Sequence, residues 1–261
     1  MQISLETLRN TKGIGSKTLE RIIEQHEIDN NIKSYKSQYI PSEEYKVDKD
    51  INLWQGDCLK LMEHIPDKSI DMILCDLPYG ITACSWDIVI PFNQLWSNYK
   101  RIIKDSGAIV LFGSEPFSTK LRISNLEWYK YDWKWIKSRG GNFLNAKYQP
   151  FKIIEDISVF GKMATSYSKN GNMKYKPQMK KGKPYTQKKG KQTSDYNNTS
   201  VRTPLSQVST INNGERYPSN ALYFDKDKKE LHPTQKPVKL LEYLIKTYTD
   251  ENMMVLDNTM G

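Results

Sequence analysis

The sequence predicts an α/β fold built on a doubly wound, mostly parallel sheet. Three short apolar runs, at residues 72–75, 108–112 and 253–256, indicate buried strands, and a polar or glycine-containing turn follows each of them. An amphipathic stretch at 93–104 separates the first two runs, which is typical of a βαβ unit with parallel strands. In open sheets of this kind, ligands bind outside the carboxyl ends of the strands.

The chain has 261 residues, enough for one large domain or for a large and a small one. Its formal net charge of +9 suits a polyanionic partner, without distinguishing DNA from RNA or an anionic surface. The three cysteines and three histidines lack metal-ligand spacing, so no metal site is expected. No apolar run approaches the ~20 residues of a membrane span and no signal-peptide core is present, which predicts a cytoplasmic protein without a membrane partner.

Residues 1–27 contain two stretches with helical apolar spacing around a Gly-Ile-Gly turn. This segment resembles a helix-hairpin-helix, in which backbone N–H groups at the start of the second helix bind a DNA phosphate. An ordinary αα-hairpin fits the same pattern. The polar, aperiodic residues 28–50 indicate a linker. The candidate phosphate contacts are Lys12, Gly13, Gly15 and Lys17.

The apolar run at 72–75 ends in the tetrapeptide Asp76-Leu77-Pro78-Tyr79. A carboxylate and a backbone carbonyl can accept hydrogen bonds from an amino group whose lone pair is delocalised into a ring, and so favour a pyramidal, nucleophilic nitrogen. An aromatic ring such as Tyr79 can stack on a base that has left the double helix. Four residues alone are equally compatible with a strand-ending turn that carries no chemistry.

Further motifs flank this tetrapeptide. A short predicted strand starting at 51 closes in Gly56-Asp57, and strands are predicted at 133–136 and 153–160. His232-Pro-Thr-Gln-Lys-Pro237 precedes a predicted helix, and the apolar run at 253–256 ends in Asp257-Asn-Thr-Met-Gly261. A glycine turn after a strand lets the backbone approach a ligand closely.

Together these motifs resemble those of the beta group of DNA amino-methyltransferases, in which the catalytic motif precedes the cofactor motif. The resemblance covers 51–261 and departs from the family pattern at Leu77, Asn258 and Thr259, where the family has Pro, Pro and Phe. It implies a circularly permuted Rossmann-like methyltransferase fold and S-adenosylmethionine as cofactor. It also implies base flipping in double-stranded DNA and direct methyl transfer to adenine N6 or cytosine N4. Asp at position 76 favours adenine.

The resemblance also implies roles for single residues. Asp76 and the Leu77 carbonyl would polarise the amine, Pro78 would keep Leu77 extended, and Tyr79 would receive the base. For Asp57 a turn acid that faces solvent is the alternative. The residues implied in cofactor binding are Asp57, His232, Thr234, Gln235, Lys236, Pro237, Asp257, Asn258 and Gly261.

Residues 163–217 are rich in lysine with interleaved tyrosine and lack apolar periodicity, so we expect a flexible insertion without a packed core. This composition suits phosphate binding with occasional base stacking, and the family places its target-recognition region here. A solvated loop with no part in recognition is the alternative. The candidate DNA contacts are Lys180, Lys181, Lys183, Lys188 and Lys189.

The sequence ends at Gly261, inside the glycine turn, and we therefore expect an incomplete or split enzyme with weakened cofactor binding. Cytosine N4 methylation, an inactive DNA-binding fragment, and an RNA or protein methyltransferase remain open as functions beside adenine methylation. A homodimer, a complementing C-terminal fragment and a cognate nuclease remain open as partners beside double-stranded DNA.

Overall fold

The computed structural model describes residues 35–36, 51–54, 56–82, 84, 87–187, 210–228 and 234–259. The strands are β1 Tyr35–Lys36, β2 Asn52–Leu53, β3 Ile70–Cys75, β4 Ile103–Gly113, β5 Tyr129–Gly141, β6 Lys152–Phe160, β7 Lys180–Lys181, β8 Tyr185–Gln187, β9 Thr210–Asn212, β10 Glu215–Arg216, β11 Ala221–Tyr223 and β12 Val255–Leu256. The helices are α1 Cys58–Met62, α2 Phe92–Ile102, α3 Phe117–Ile123 and α4 Val238–Tyr248.

A six-stranded sheet in the order β11-β5-β6-β4-β3-β12 forms the centre of the described structure. Strand β6 runs antiparallel to its neighbours β5 and β4, whereas the other neighbouring strands are parallel. The prediction of a mostly parallel sheet is confirmed. Because every strand except β6 points the same way, the carboxyl ends of β3, β4, β5 and β12 lie along one edge of the sheet.

Strand β3, which lies between β4 and the edge strand β12, buries both of its faces, as the apolar run at 72–75 predicts. Successive side chains point to opposite faces of a sheet, so they enter two different cores. Ile73 packs with α1, α2 and α3 on one face, and Met72 packs with α4 on the other. Helices therefore cover both faces, which is the doubly wound arrangement.

Helix α2 follows from the spacing of its apolar residues. Leu95, Trp96, Tyr99 and Ile102 recur at helical intervals, and all four are buried against the sheet. Full burial of such side chains stabilises the fold by about 1.5–3 kcal/mol each before entropy is counted. The helix predicted at 93–104 is confirmed, although it ends earlier because β4 already begins at Ile103.

Two short elements differ from the prediction. Strand β2 pairs antiparallel with β1, so a strand lies inside the segment predicted to be a linker. The turn predicted after the apolar run at 108–112 leads into helix α3, which begins at Phe117 and was not predicted. Phe117 is buried against Tyr79, and this tertiary contact cannot be read from local spacing.

The described parts of residues 163–217 form short antiparallel ribbons, in which β7 pairs with β10 and β8 pairs with β9. Met173 is 4% exposed and packs in the core that α4 covers. Met173 therefore belongs to the core of the six-stranded sheet, and the expectation of a flexible insertion without a core of its own stays a prediction. The part of this segment in target recognition also stays a prediction.

Candidate active site

The tetrapeptide Asp76-Leu77-Pro78-Tyr79 follows β3 directly at the carboxyl edge of the sheet. Leu77 is buried in the core beneath α2, whereas the other three residues are partly exposed. The leucine side chain therefore anchors the loop and leaves the carboxylate and the phenol at the surface of the edge. The structure thus brings the four predicted catalytic residues together.

Both carboxylate oxygens of Asp76 accept a hydrogen bond from a neighbouring side chain. The Tyr79 hydroxyl donates to Oδ1 at 2.7 Å, and the Lys236 ammonium donates to Oδ2 at 2.5 Å. The Thr259 hydroxyl donates to the main-chain carbonyl of Asp76 at 3.1 Å. A carboxylate oxygen has more than one acceptor site, so Asp76 is held in place and can still accept hydrogen bonds from an amino group.

Lys236 connects the catalytic loop with the antiparallel strand β6. Its side chain is 10% exposed, and Nζ lies 3.6 Å from Glu155 Oε2 and 5.3 Å from the centroid of the Phe112 ring. Glu155 also accepts a hydrogen bond from Lys137. Charges therefore alternate along this row, which gives each partly buried ion an opposite neighbour. The sequence predicts a cofactor contact at Lys236, and the structure shows that its ammonium group binds Asp76.

The ring of Tyr79 packs against Phe117, with ring centroids 5.0 Å apart and planes inclined by 30°. Burial, with a smaller contribution from the Asp76 carboxylate, raises the pKa of Tyr79 well above its usual value. The phenol therefore remains protonated near neutral pH and donates to Asp76. Phe117 therefore supports the ring of Tyr79 beside the Asp76 carboxylate.

Asp87 organises the loop that follows Tyr79, a role that the sequence did not predict. Its Oδ1 accepts from the Gly80 N–H at 2.8 Å. Its Oδ2 accepts from the Ile81 N–H at 2.9 Å and from the Thr82 N–H and hydroxyl at 2.7 Å each. Gly80 has a φ of +67°, which glycine adopts without strain. The sequence signal that could have indicated this role is the turn glycine Gly80, which an acid follows seven residues later.

The pKa of Asp87 lies below its ordinary value of 3.8: burial raises it, but the hydrogen bonds from the Thr82 hydroxyl and the backbone N–H groups outweigh burial. A lowered pKa in the folded state stabilises the fold above the unfolded pKa, and this contribution disappears as the pH falls through the folded pKa.

We expect Asp87→Ala to lower the free energy of unfolding by about 2–3 kcal/mol at pH 7. We also expect the difference from the natural chain to shrink below pH 4, as urea unfolding at several pH values will show.

Asp67→Ala is the matched control, because the Asp67 side chain is 71% exposed. It should change the free energy of unfolding by less than about 0.5 kcal/mol. A constant difference between the natural chain and Asp87→Ala from pH 7 to pH 3 would contradict the role given to the Asp87 carboxylate.

The turn after β12 lies beside the catalytic loop and carries a buried amide. The Tyr99 hydroxyl and the Cys75 thiol donate to Asn258 Oδ1 at 2.6 and 2.9 Å. Within the described residues, Asn258 Nδ2 is buried and has no hydrogen-bond partner. A buried amide nitrogen without an acceptor suits a ligand that brings an anionic oxygen, such as the carboxylate of an amino acid. Asp257 is exposed next to it and accepts from the Thr259 N–H at 3.0 Å.

Asp57 is exposed and caps helix α1, where its Oδ1 accepts from the Leu59 N–H at 2.9 Å. Cys58, the residue after Asp57, lies close to Asn258, and burial raises the pKa of its thiol. Asp57 therefore lies near the turn after β12. The helix cap uses Oδ1 of its carboxylate, so capping explains the presence of this acid only in part.

The residues before α4 are fixed by an acid that the sequence did not reveal. Asp227 accepts from the Val238 N–H at 3.0 Å and from the Gln235 amide at 3.3 Å, while Pro237 is buried at the helix start. Because Asp227 lies eleven residues before the helix, no local capping pattern points to it. Thr234 is exposed in the same loop.

The predicted DNA contacts lie on the ribbon or outside the described residues. Lys180 and Lys181 form β7 and Lys183 follows it, and all three are exposed. Their DNA contacts stay predictions. Predicted site residues outside the described residues are Lys12, Gly13, Gly15, Lys17, Lys188, Lys189, His232 and Gly261.

Comparison with known proteins identifies the family. The sequence profile of the N6_N4_Mtase family, described as DNA methylase, matches residues 70–261. The chain belongs to this family. A relative of this chain is the type II methyltransferase M2.MboI of Moraxella bovis, which is 30% identical over 89 residues. That match covers 26% of the chain and 33% of M2.MboI, so it spans about a third of the relative's length.

Two solved structures are similar to this chain at low sequence identity. The PvuII DNA methyltransferase (cytosine-N4-specific) has a TM-score of 0.52 and 13% identity, with 79% of this chain and 73% of that chain covered. The M1.HpyAVI–SAM complex has a TM-score of 0.46 and 17% identity, with 80% and 82% covered. The PvuII match confirms the predicted Rossmann-like methyltransferase fold. The beta-group assignment and the permuted order stay predictions.

Neither a membrane-spanning helix nor a cluster of metal ligands is found among the described residues. No helix there is long and apolar enough to cross a membrane. No group of three or more His, Cys, Asp or Glu side chains in the same ranges is placed to hold a metal ion.

Proposed function

We propose that this DNA methylase transfers a methyl group from S-adenosylmethionine to the N6 amino group of adenine in double-stranded DNA. The observation that carries the proposal is the Asp76 carboxylate, held by Tyr79 and Lys236 at the carboxyl edge of the sheet. Adenine is preferred over cytosine because the tetrapeptide begins with Asp, following the resemblance drawn from the sequence.

In the proposed reaction, Asp76 acts on the amino group of the target base. Its carboxylate accepts one N–H, and the Leu77 carbonyl accepts the other, so the nitrogen lone pair turns out of the plane of the ring. The amino nitrogen then forms a bond to the methyl carbon while the carbon–sulfur bond breaks and its electron pair stays on sulfur. The nitrogen afterwards loses one proton to water. Lys236 holds the Asp76 carboxylate in position throughout.

Tyr79 would hold the target base after it leaves the duplex. Phe117 supports one face of the phenol ring, so the base would stack on the opposite face, in reach of Asp76. Stacking of one base on an aromatic side chain contributes about 1–3 kcal/mol, which offsets part of the cost of unstacking it from the duplex.

The residues present fit the proposed cofactor. S-adenosylmethionine supplies an electrophilic methyl group on a sulfonium sulfur when it is bound. The buried Asn258 amide would donate to an anionic oxygen of its methionine portion, and Asp57 would accept from its nucleoside portion. The remaining candidates around this position are His232, Thr234, Gln235, Lys236, Pro237, Asp257 and Gly261.

The test is incubation of the chain with methyl-labelled S-adenosylmethionine and native genomic DNA, followed by digestion and separation of nucleosides. We expect label in N6-methyladenine, and an excess of unlabelled RNA should not compete. Label in N4-methylcytosine would show that the target base is cytosine and not adenine.

Two further results would overturn the proposal. Label that appears in RNA or protein instead of DNA would make the chain an RNA or protein methyltransferase. DNA binding without any transfer of label would make it an inactive DNA-binding fragment.

A further inference from the structure

The hairpin loop at residues 138–154 consists of the last residues of β5, the connection 142–151 and the first residues of β6, and it exposes several large apolar side chains. Phe143, Leu144 and Tyr148 are 70%, 81% and 87% exposed. Single exposed apolar residues are common, but a contiguous group of them marks an interaction surface. The other exposed apolar members of this loop are Phe151, Ile153 and Ile154.

The exposed tip is internally hydrogen-bonded, so its apolar side chains are presented on a defined scaffold. Asn142 has a φ of +67°, and its Oδ1 accepts from the Asn145 amide at 2.6 Å. The Tyr148 N–H donates to the Asn145 carbonyl at 2.9 Å. At the base of the loop, a Cβ on Gly140 would lie 2.7 Å from the Cβ of Phe151, so the two arms pack closely. A preorganised apolar tip loses little entropy when it binds.

The charge of this loop favours a nucleic-acid partner. Residues 138–154 contain Arg139, Lys147 and Lys152 and no aspartate or glutamate. This arrangement suits a DNA duplex, because the cations can bind the outer phosphates while the apolar side chains contact the base steps. A second copy of the chain would bring the same positive loop and the same net charge of +9, which disfavours self-association through this surface.

The base of the loop borders the candidate active site on two sides. Lys152 donates to the Glu115 carbonyl at 3.3 Å, and Phe117, two residues further, stacks on Tyr79. Just inside β6, Glu155 lies 3.6 Å from Lys236, which binds Asp76. A duplex whose base reached Tyr79 would therefore meet this loop next to the vacated position.

We propose that the tip formed by Phe143, Leu144 and Tyr148 inserts into the DNA duplex and fills the space that the target base leaves. This inference rests on the proposed function, because it assumes that a base is flipped towards Tyr79. Apolar side chains inserted at a base step replace lost stacking and keep the flipped base from returning. Arg139, Lys147 and Lys152 bind the flanking phosphates.

The first test is a binding measurement that needs neither methyl transfer nor a known recognition sequence. Fluorescence anisotropy compares the affinity of the full chain for an intact duplex and for the same duplex with one abasic site. We expect the natural chain to prefer the abasic duplex by about tenfold, because the tip enters a ready gap without unstacking a base. The double variant Phe143→Ala with Leu144→Ala should bind both duplexes equally.

The second measurement is methyl transfer to native genomic DNA, which should fall by about 10- to 100-fold in the double variant. The control is Ile123→Ala with Leu126→Ala, whose side chains are 64% and 62% exposed outside the loop. This control should leave both the transfer and the abasic preference unchanged.

Three results would overturn the inference: an abasic preference that survives in the double variant, transfer that survives in it, or a natural chain that is a dimer and becomes monomeric in it. The last result would assign the tip to a second copy of the chain. Absence of transfer by the natural chain would contradict the proposed function, while the abasic preference would still decide the role of the tip.

Discussion

Replacement of Asp76 by alanine should lower single-turnover methyl transfer by about 10²- to 10⁴-fold, because the acceptor that directs the amino lone pair is lost. DNA affinity should change little, since Asp76 contributes no cation to the phosphate contacts. The fold should survive, because Glu155 remains 3.6 Å from Lys236 as its counter-ion. Rapid quench with labelled S-adenosylmethionine and anisotropy with labelled duplex measure the two effects separately.

The matched control is Glu127→Ala, a carboxylate that is 79% exposed and whose nearest cation, Lys100, is 3.6 Å away. It should transfer methyl groups at the natural rate. If Asp76→Ala also transferred at the natural rate while folded, Asp76 would have no part in the chemistry. Asp76→Asn adds a stricter comparison, because it keeps the shape and one acceptor oxygen but removes the negative charge.

The second large effect is expected for Lys236→Met, which keeps an unbranched side chain and removes the charge. Asp76 and Glu155 would then face each other without a cation between them. Loss of one partner of a buried pair costs about 3–5 kcal/mol, but Asp76 is 32% exposed, so we expect a loss of about 2 kcal/mol in the free energy of unfolding. We also expect transfer to fall about 10- to 100-fold at saturating cofactor, since Asp76 is no longer held in position.

The comparison variant is Lys246→Met, whose ion pair with Glu242 is exposed and should contribute less than about 0.5 kcal/mol. In the double variant Lys236→Met with Glu155→Gln, the repulsion between carboxylates is gone, so part of the lost stability should return. Transfer should stay low in that variant, because Asp76 still lacks its cation. Normal turnover of Lys236→Met would contradict the role of Lys236 in positioning Asp76. No recovery of stability in the double variant would contradict the proposed repulsion between Asp76 and Glu155.

The sheet and the catalytic loop could be predicted from the sequence because local pattern determines them. Strand β3 contains the apolar run 72–75 and is followed directly by the catalytic tetrapeptide, and α2 repeats its apolar residues at helical intervals. Asp76 and Tyr79 are three residues apart, so their proximity follows from the chain itself. In these places short-range propensity and the burial demanded by the tertiary fold agree.

The contacts that complete the site could not be predicted because they join distant parts of the chain. Lys236 and Asp76 are 160 residues apart in sequence, and the local pattern around the lysine indicates only a cofactor motif. Asp227 caps a helix from eleven residues away, and Phe117 begins a helix that the sequence did not predict. The burial of Met173 in a lysine-rich segment likewise depends on the fold and not on local composition.

The measurement that tests the central claim most directly is photocrosslinking of a duplex in which 5-iodouracil replaces the target base. Its position is taken from the methylated sites of genomic DNA. If the target base is flipped onto the aromatic ring beside Asp76, the crosslinked peptide will contain Tyr79, Tyr79→Phe will retain the crosslink, and Tyr79→Ala will lose it. A crosslink that maps to another residue and persists at equal yield in Tyr79→Ala would show that the base is bound elsewhere.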